Sequence, residues 1–366
     1  MSHEPLPTDA LDYDLPPSLI ATRPASPRDS ARLMVVPLDH DEIIHATVRE
    51  LPSFLKPTDT LVFNDTSVVP ARFEGRRHGS GGRIEGLFLD EVNPGRWRVM
   101  LRSNGRLRDG LVIEIGEPDH HVVATLVERN DAHWIIDVQS DEPTFATLER
   151  VGLTPLPPYI LKARRDAAID VQDEADRAWY QTVYASSAHA GSVAAPTAGL
   201  HFTRELLTRI DAAGIDRETI TLHVGPGTFK PIDTETVQDH PMHREWYEIP
   251  PATLQRLVAH RADPNSTRVI GVGTTSIRAL ESLPDDVSTL PTTSASGSTD
   301  LLIAPPYNYR HTDGMLTNFH LPRSTLLALV GAMVGLDRLL ACYREAVDNA
   351  YRFYSYGDAM LIVPSL

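Results

Sequence analysis

The chain has almost no cysteine, and it lacks a long apolar run. One of its 366 residues is cysteine, Cys342, so no disulfide can form within the chain. Its helical surroundings predict a buried, inert thiol. The longest apolar stretch, Leu326 to Leu336, contains two glycines and falls short of the roughly 18 residues that a membrane span needs. Because the N-terminus also lacks the pattern of a signal peptide, we expect a soluble cytoplasmic protein with no membrane partner.

Several nucleotide, redox and hydrolase motifs are absent as well. The sequence has no P-loop, no Cys-x-x-Cys pair and no Gly-x-Ser-x-Gly elbow. Its two short glycine motifs lack the third glycine, or the following helix, of a dinucleotide-binding fingerprint. The segment Asp239-His-Pro-Met-His243 holds two histidines, but no cysteine accompanies them, so it is weak as a zinc motif. We therefore predict no metal site.

Positive charge is also scarce, since the formal net charge is −15. This balance argues against a nucleic-acid partner, because phosphate contacts need lysine and arginine. One region is nevertheless locally basic. Its arginines are Arg72, Arg76, Arg77, Arg83, Arg96, Arg98, Arg102, Arg106 and Arg108. On charge alone, a solvated basic face is the stronger interpretation of this region.

The length and the hydrophobic patterns predict two domains. Residues 69–151 contain five short runs of alternating polarity, separated by turn residues, which is typical of antiparallel strands. Strand-like and helix-like segments alternate after residue 152. We predict an α/β main domain, formed by residues 1–68 and 152–366, with an inserted antiparallel β-barrel-like domain at 69–151. The polar segment from Ser282 to Thr299 is predicted to be a loop.

Polar residues cluster in loops next to predicted strands and helices, where proteins commonly display functional groups. Such clusters contain His201, His223 and His320, together with Asp65. A histidine in such a place can serve as a general acid or base, but taken alone a structural histidine is the commoner case. The residues by themselves therefore indicate an enzyme-like α/β protein with several candidate loops, and they do not identify the reaction.

Taken together, these clusters resemble a known family. The chain is similar, almost from end to end, to the S-adenosylmethionine:tRNA ribosyltransferase-isomerase family of queuosine biosynthesis. The resembling blocks include Asn64-Asp-Thr-Ser-Val-Val-Pro-Ala-Arg72, Ala195-Pro-Thr-Ala-Gly-Leu-His-Phe202, His223-Val-Gly-Pro-Gly-Thr-Phe229, Gly273-Thr-Thr-Ser-Ile-Arg278, Thr317-Asn-Phe-His-Leu-Pro322 and Tyr351-Arg-Phe-Tyr-Ser-Tyr-Gly-Asp-Ala-Met360.

The resemblance implies an unusual reaction. The ribosyl part of S-adenosylmethionine moves onto the aminomethyl group of preQ1, a modified guanine at the wobble position of tRNA. The ribose becomes an epoxycyclopentane, which gives epoxyqueuosine-tRNA, while adenine and methionine leave. S-adenosylmethionine is a cosubstrate here, and no metal or redox cofactor is expected.

The motifs of the family and the chemistry of the reaction together suggest roles for particular residues. The candidates for catalysis are His201, His223, His320 and Asp65. The candidates for cosubstrate binding are Gly199, Gly227, Thr228, Thr274, Thr275 and Arg278. The candidates for tRNA binding are Arg72, Arg76, Arg77, Arg102 and Arg106. The resemblance places the motifs without assigning each role, and we expect the protein to be a monomer.

The sequence leaves two other functions open. A paralogue that has lost tRNA binding would transfer a ribosyl or alkyl group to a small molecule. A non-catalytic RNA-binding protein on the same scaffold is the second, but the polar loop residues, His201, His223, Thr228, Asn318 and His320 among them, are all retained. Pro226 and Pro306 depart from the usual pattern of the family, and they put the detail of the substrate in doubt more than the activity.

Overall fold

The computed structural model describes residues 5–130, 132–225, 227, 231–263, 267–286, 290 and 293–366. The strands are β1 (Arg32–Pro37), β2 (Ile44–Thr47), β3 (Thr60–Asn64), β4 (Ser67–Val68), β5 (Arg72–Arg77), β6 (Arg83–Asn93), β7 (Arg96–Ser103), β8 (Val112–Glu117), β9 (His120–Asn130), β10 (His133–Gln139), β11 (Ala190–Ser192), β12 (Asp216–Leu222), β13 (Glu245–Ile249), β14 (Val269–Val272), β15 (Ala295–Thr299), β16 (Gly314–Asn318) and β17 (Ala359–Val363).

The helices come mostly in the second half of the chain. The α-helices are α1 (Thr144–Val151), α2 (Pro158–Asp166), α3 (Asp173–Trp179), α4 (Arg204–Ala212), α5 (Pro251–Ala262), α6 (Thr274–Glu281), α7 (Thr325–Val334) and α8 (Leu336–Asp348). Short 3₁₀ helices span Thr8–Leu11, Pro17–Leu19, Arg28–Ser30, Val48–Phe54, Ser187–His189, Thr197–His201 and Val237–Asp239.

Nine strands from both ends of the chain form one mixed sheet. Their order is β15-β13-β12-β3-β14-β16-β17-β1-β2. The central strands β12, β3, β14 and β16 are mutually parallel. Strand β17 is antiparallel to β16 and parallel to β1, and both edges of the sheet are closed by antiparallel strands. The carboxyl ends of the four central strands therefore lie along one edge of the sheet.

Helices cover both faces of this sheet, and the alternation along each strand divides the core between them. In β1, Leu33 and Val35 belong to the cluster that contains residues of α4, whereas Met34 and Val36 belong to the cluster that contains residues of α7 and α8. This division follows from the two-residue repeat of a strand, which sends successive side chains to opposite faces. The central strands are thus buried on both sides.

The inserted segment forms a closed six-stranded barrel with the order β10-β7-β6-β5-β8-β9. All of its pairings are antiparallel. Its core is a separate hydrophobic cluster that includes Phe73, Trp97 and Ile136, and helix α1 adds Leu148 and Val151 to it. The barrel strands lie between Arg72 and Gln139. The predicted fold class, an α/β main domain with an inserted antiparallel β-barrel, is confirmed.

The chain enters and leaves the barrel at the same place. The N–H of Arg72 donates to the carbonyl of Leu153 at 3.1 Å, and the N–H of Leu153 donates to the carbonyl of Arg72 at 2.6 Å. Nearby, β4 pairs in parallel with β11 of the main domain. These contacts close the base of the barrel and join the chain before it to β11 of the main domain.

One local prediction was wrong in part. The segment from Ser282 to Thr299 was expected to be a loop, but Ala295–Thr299 forms strand β15, which pairs with β13 at the sheet edge. In the described part of the chain, no single helix is long and apolar enough to cross a membrane. The α7–α8 pair, bent by 112°, reaches the required length and composition only when both helices are counted together.

Candidate active site at the carboxyl ends of four parallel strands

Several polar residues that the sequence singles out, and others beside them, come together at one edge of the sheet. Asn64, Asp65 and Thr66 lie at the end of β3, and Thr221 and His223 lie at the end of β12. Thr274 and Thr275 follow β14, and Asn318 and His320 lie at the end of β16. In open α/β sheets, ligands bind outside the carboxyl ends of the parallel strands. This edge is therefore the candidate active site.

Asn64 links the ends of β3 and β12 to the start of α6. Its side-chain oxygen accepts from the N–H of Leu222 at 3.0 Å, and its amide donates to the carbonyl of Leu222 at 2.9 Å. The same amide lies 3.2 Å from Oγ1 of Thr275, and its oxygen accepts from the N–H of Thr66. A buried amide with this many partners is a positioning group for β3, β12 and α6.

A single segment, residues 190–201, passes the carboxyl ends of β12 and β16. At β12, the backbone of Gly191 lies against the ring of His223, and the hydroxyl of Ser192 accepts from the N–H of Val224 at 2.9 Å. At β16, the ring of His201 contacts Asn318. The segment 190–201 thus contacts candidate groups that come from distant parts of the sequence.

Between this segment and the strand ends lies a cleft of about 60 Å³ that opens to solvent. Its walls are formed by Tyr159, Ala195, Pro196, Thr197, Ala198, Val224, Gly273, Thr274, Thr275, Thr317, Asn318, Phe319, His320, Leu321, Ser324, Leu326, Tyr354 and Ser355. Helix α6 begins here without a side-chain cap, after Gly273 with a φ of 90° that favours glycine. The unpaired N–H groups of a helix start are suited to binding ligand oxygens or nitrogens.

His201 is buried beside the cleft. Its Nε2 lies 3.2 Å from the side-chain nitrogen of Asn318, which also donates to the carbonyl of Tyr354 at 3.0 Å. Burial lowers the pKa of His201 to about 4. The histidine is therefore neutral at physiological pH.

His320 lies in the wall of the cleft itself. Its Nε2 lies 2.8 Å from Oγ1 of Thr317, its N–H donates to the hydroxyl of Tyr343 at 2.9 Å, and its carbonyl accepts from the hydroxyl of Tyr13. Burial lowers the pKa of His320 to about 3. This ring is also neutral, and it is fixed in place by contacts on both its side chain and its backbone.

His223 is the most accessible of the three predicted histidines. Its Nδ1 lies 2.9 Å from Oγ1 of Thr66, and its ring stacks on Trp246 at a centroid distance of 5.1 Å. Trp246 is 40% exposed, which leaves an aromatic surface open beside the site. Burial lowers the pKa of His223, the neighbouring His189 lowers it further, and the Asp65 carboxylate opposes this. His223 is thus an unprotonated base at neutral pH.

Asp65 does not contact any of the three predicted histidines. Its Oδ1 lies 3.0 Å from Nδ1 of His189 and accepts from the hydroxyl of Thr221 at 2.7 Å. His189 was not predicted from the sequence, because it precedes the recognisable block Ala195–Phe202 and has no helical or strand periodicity around it. The carboxylate therefore orients His189, and it acts on His223 only through its charge.

The predicted cosubstrate residues divide into two groups. Thr274 and Thr275 line the cleft, whereas Arg278 is buried behind it and pairs with Glu245. A Cβ at Gly199 would lie 1.9 Å from the hydroxyl of Tyr184, and one at Gly227 would lie 1.9 Å from the ring of His243. Both glycines thus have a packing reason that involves no ligand. Thr228 and Pro226 lie outside the described residues.

The barrel arginines also divide into two groups. Arg76 pairs with Glu114 at 2.6 Å, Arg72 contacts Glu74 at 3.3 Å, and Arg77 donates to Oγ of Ser103 at 3.1 Å. Arg96 and Arg98, which were not among the predicted tRNA contacts, are paired in the same way with Asp137 and Asp90.

In contrast, Arg102, Arg106 and Arg108 are exposed, and their side chains have no partner in the described part of the chain. They line an open surface cavity of about 850 Å³ together with Arg129. The positive charge that is left for a partner is therefore concentrated at this end of the barrel.

The folded chain was compared with known proteins. The family model for queuosine biosynthesis protein matches residues 8–362. The S-adenosylmethionine:tRNA ribosyltransferase-isomerase of Sphingopyxis alaskensis is 48% identical, with coverage of 97% of this chain and 96% of that protein. The enzyme of the same name from Gloeobacter violaceus is also 48% identical, with coverage of 98% and 96%.

A solved structure shows the same relationship. The crystal structure of S-adenosylmethionine tRNA ribosyltransferase from Thermotoga maritima is 32% identical, covers 97% of this chain and 100% of that chain, and gives a TM-score of 0.52. The residues that the family model matches, 8–362, span both the sheet and the barrel. The chain therefore belongs to the queuosine biosynthesis protein family, the family of the S-adenosylmethionine:tRNA ribosyltransferase-isomerases.

Proposed function

We propose that this protein transfers and isomerises the ribosyl group of S-adenosylmethionine onto preQ1 at the wobble position of tRNA. The products are epoxyqueuosine-tRNA, adenine and methionine. The observation that carries this proposal is a cleft lined by polar groups from the ends of β14 and β16, with the polar groups that end β3 and β12 at the same edge of the sheet. Since all four strands come from one chain, we propose that the monomer contains a complete site.

The cleft is suited to the nucleoside part of the cosubstrate. The start of α6, with Thr274 and Thr275, offers hydrogen-bond donors, and Asn318 and His320 face the same space. The low pKa values keep His201 and His320 neutral, so neither adds a positive charge that would repel the sulfonium. We assign them hydrogen-bonding and positioning roles, because a base with so low a pKa removes protons poorly at neutral pH.

His223 is the proposed general base for the acceptor. The aminomethyl group of preQ1 must lose a proton before its nitrogen can attack the ribose carbon, and an alkyl ammonium keeps that proton at neutral pH. His223 is neutral and lies beside an open aromatic surface. We propose that Trp246 stacks on the unpaired target base, since aromatic side chains commonly receive bases from single-stranded loops.

The proposed reaction needs no metal or redox cofactor. The sulfonium already acidifies the adjacent ribose C–H and leaves as a neutral thioether, and no electron is transferred overall. The tRNA backbone is held by the unpaired arginines of the barrel, Arg102, Arg106 and Arg108. Because the target lies in a single-stranded loop, the cost of extruding the base is small.

The decisive experiment uses purified protein, S-adenosylmethionine and a preQ1-bearing anticodon stem-loop. Released adenine is measured by chromatography and the RNA by mass spectrometry. The proposal predicts equal amounts of adenine and of RNA that has gained the epoxycyclopentyl group. Adenine without a mass gain would indicate a small-molecule acceptor, and neither product from a folded protein would overturn the enzymatic function.

A further inference from the structure

Behind the cleft lies a small recess, next to the start of helix α7. It has a volume of about 20 Å³ and is lined by Gly227, His240, Met242, His243, Glu245, Arg278, Thr325 and Leu326. Leu326 lies in the walls of both the recess and the cleft, so the two spaces adjoin. Thr274 and Thr275 of the cleft and Arg278 of the recess lie within about one turn on α6.

The guanidinium of Arg278 has an unsatisfied donor in this recess. Arg278 is 4% exposed, its Nη1 donates to the Glu245 carboxylate, and its Nε donates to the carbonyl of Leu301 at 3.2 Å. Its Nη2 has no hydrogen-bond partner among the described residues. A buried charged donor without an acceptor is costly, so a partner is expected to come from outside the chain.

The opposite wall of the recess is the start of helix α7. The hydroxyl of Ser324 caps this helix by accepting from the N–H of Leu327 at 3.2 Å. Thr325 and Leu326 form its first turn and line the recess. A helix start favours negative charge, and here it lines the same recess as the buried arginine. Both features select an anion with planar oxygens, such as a carboxylate.

We propose that Arg278 and the first turn of α7 bind one oxygen of the methionyl carboxylate of S-adenosylmethionine, in the space that one water would fill, while its nucleoside part occupies the cleft. The inference rests on the proposed function. The Glu245 carboxylate on the same wall accepts from Arg278 and from the N–H of Gly225, so it holds the guanidinium in place. Arg278 is therefore a specificity residue that distinguishes the intact cosubstrate from analogues without the carboxylate.

The test compares S-adenosylmethionine with decarboxylated S-adenosylmethionine, which keeps the sulfonium, ribose, adenine and amine. Adenine release with the preQ1 stem-loop gives kcat/KM for each cosubstrate. Loss of a charge-assisted hydrogen bond predicts a value about 10- to 100-fold lower for the decarboxylated compound. In Arg278→Lys, which keeps a cation beside Glu245, the two compounds should differ by less than about threefold, because only the reaction with S-adenosylmethionine is weakened.

Arg268→Lys is the matched control. Arg268 pairs with the buried Asp59 before the start of β14, at the opposite edge of the sheet, so this variant should retain the wild-type preference. Equal kcat/KM values in the wild-type protein would overturn the inference and would mean that the recess, which has room for about one water molecule, holds only water. No adenine from either compound would overturn the proposed function itself. If Arg278→Lys fails to fold, the wild-type comparison still decides.

Discussion

Asn318 fixes the tautomer of His201. The side-chain nitrogen of Asn318 lies 3.2 Å from Nε2 of His201 and 3.0 Å from the carbonyl oxygen of Tyr354. The reverse orientation of the amide would place two oxygens against each other, so the nitrogen must face both partners. Nε2 of His201 is therefore an acceptor, and the proton of the neutral ring is on Nδ1.

This arrangement predicts that mild acid destabilises the fold. The unfolded protein binds protons at its histidines as the pH falls through about 6.5, whereas folded His201 stays neutral down to about pH 4. The stabilising contribution of His201 is thus complete above the unfolded pKa and is lost as the pH falls. Between pH 7 and 5 it should decrease by about 2 kcal/mol, measured by urea unfolding.

The variant His201→Gln isolates this contribution. Glutamine can still accept a hydrogen bond from Asn318, but it does not titrate. Between pH 7 and 5, the free energy of unfolding of the variant should therefore fall by about 2 kcal/mol less than that of the wild-type protein. The difference between the two free energies of unfolding at pH 7.5, where His201 does not titrate, gives the effect of the substitution on packing and is subtracted. The same acid dependence in both proteins would contradict the low pKa of His201.

The role of His223 predicts a change in the pH dependence of turnover. In His223→Gln the acceptor amine must lose its proton to solvent, so the rate should be low at pH 7 and rise about tenfold per pH unit up to pH 9. The wild-type rate should change little over this range, because the lowered pKa keeps His223 unprotonated. Single-turnover adenine release with the preQ1 stem-loop measures both profiles.

His201→Gln is the matched control for this experiment. A positioning role predicts a lower rate at every pH and no added slope. If His223→Gln were slow but showed the wild-type pH profile, His223 would be a structural residue and another group would accept the proton of the amine.

The parts of the fold that were predicted are those that short sequence patterns determine. The barrel strands alternate with a period of two, which is visible in runs such as Arg96-Trp-Arg-Val-Met-Leu. Strand β15 was missed because Ala295-Ser-Gly-Ser-Thr has no apolar alternation, and it forms only by pairing with β13. A strand of that kind depends on its neighbour in space, which local sequence does not reveal.

The same reason explains what was missed in the site. His189 acquires its role from Asp65, which is 124 residues away in the chain. Arg76 is paired with Glu114, which is 38 residues away, so its charge is not available to an external partner. Likewise, the requirement for glycine at position 199 comes from Tyr184, on a different segment. Motif membership identified the loops that form the cleft, but partners across the sheet and the barrel decide what each side chain is free to do.

The division among the barrel arginines predicts unequal effects on tRNA binding. Arg102 and Arg106 have no carboxylate partner in the described residues, so they can contact phosphates without breaking an ion pair. The double variant Arg102→Ser, Arg106→Ser should weaken binding and reduce the slope of log K against log salt by about 1.5, since each phosphate contact contributes about 0.7 to 0.9.

Arg96→Ser and Arg98→Ser form the matched control, because both arginines pair with carboxylates on the barrel surface at 2.6 and 3.1 Å. This pair of substitutions removes the same formal charge and should change the slope by less than about 0.5. Filter binding of the stem-loop and of full-length tRNA at several salt concentrations gives the slopes. Equal slopes for the two double variants would mean that only the net charge of the barrel matters.

The contact between Gly199 and Tyr184 predicts a rescue. A Cβ at position 199 would lie 1.9 Å from the hydroxyl of Tyr184, so Gly199→Ala should cost about 1 to 3 kcal/mol of stability and displace the segment that carries His201. The Tyr184 hydroxyl is buried without a hydrogen-bond partner among the described residues, so Tyr184→Phe alone should be neutral or slightly stabilising. The double variant Gly199→Ala, Tyr184→Phe should therefore recover part of the lost stability and part of the turnover. If stability returned but adenine release did not, packing against Tyr184 would explain only the stability, and the added methyl group at position 199 would interfere with the cosubstrate.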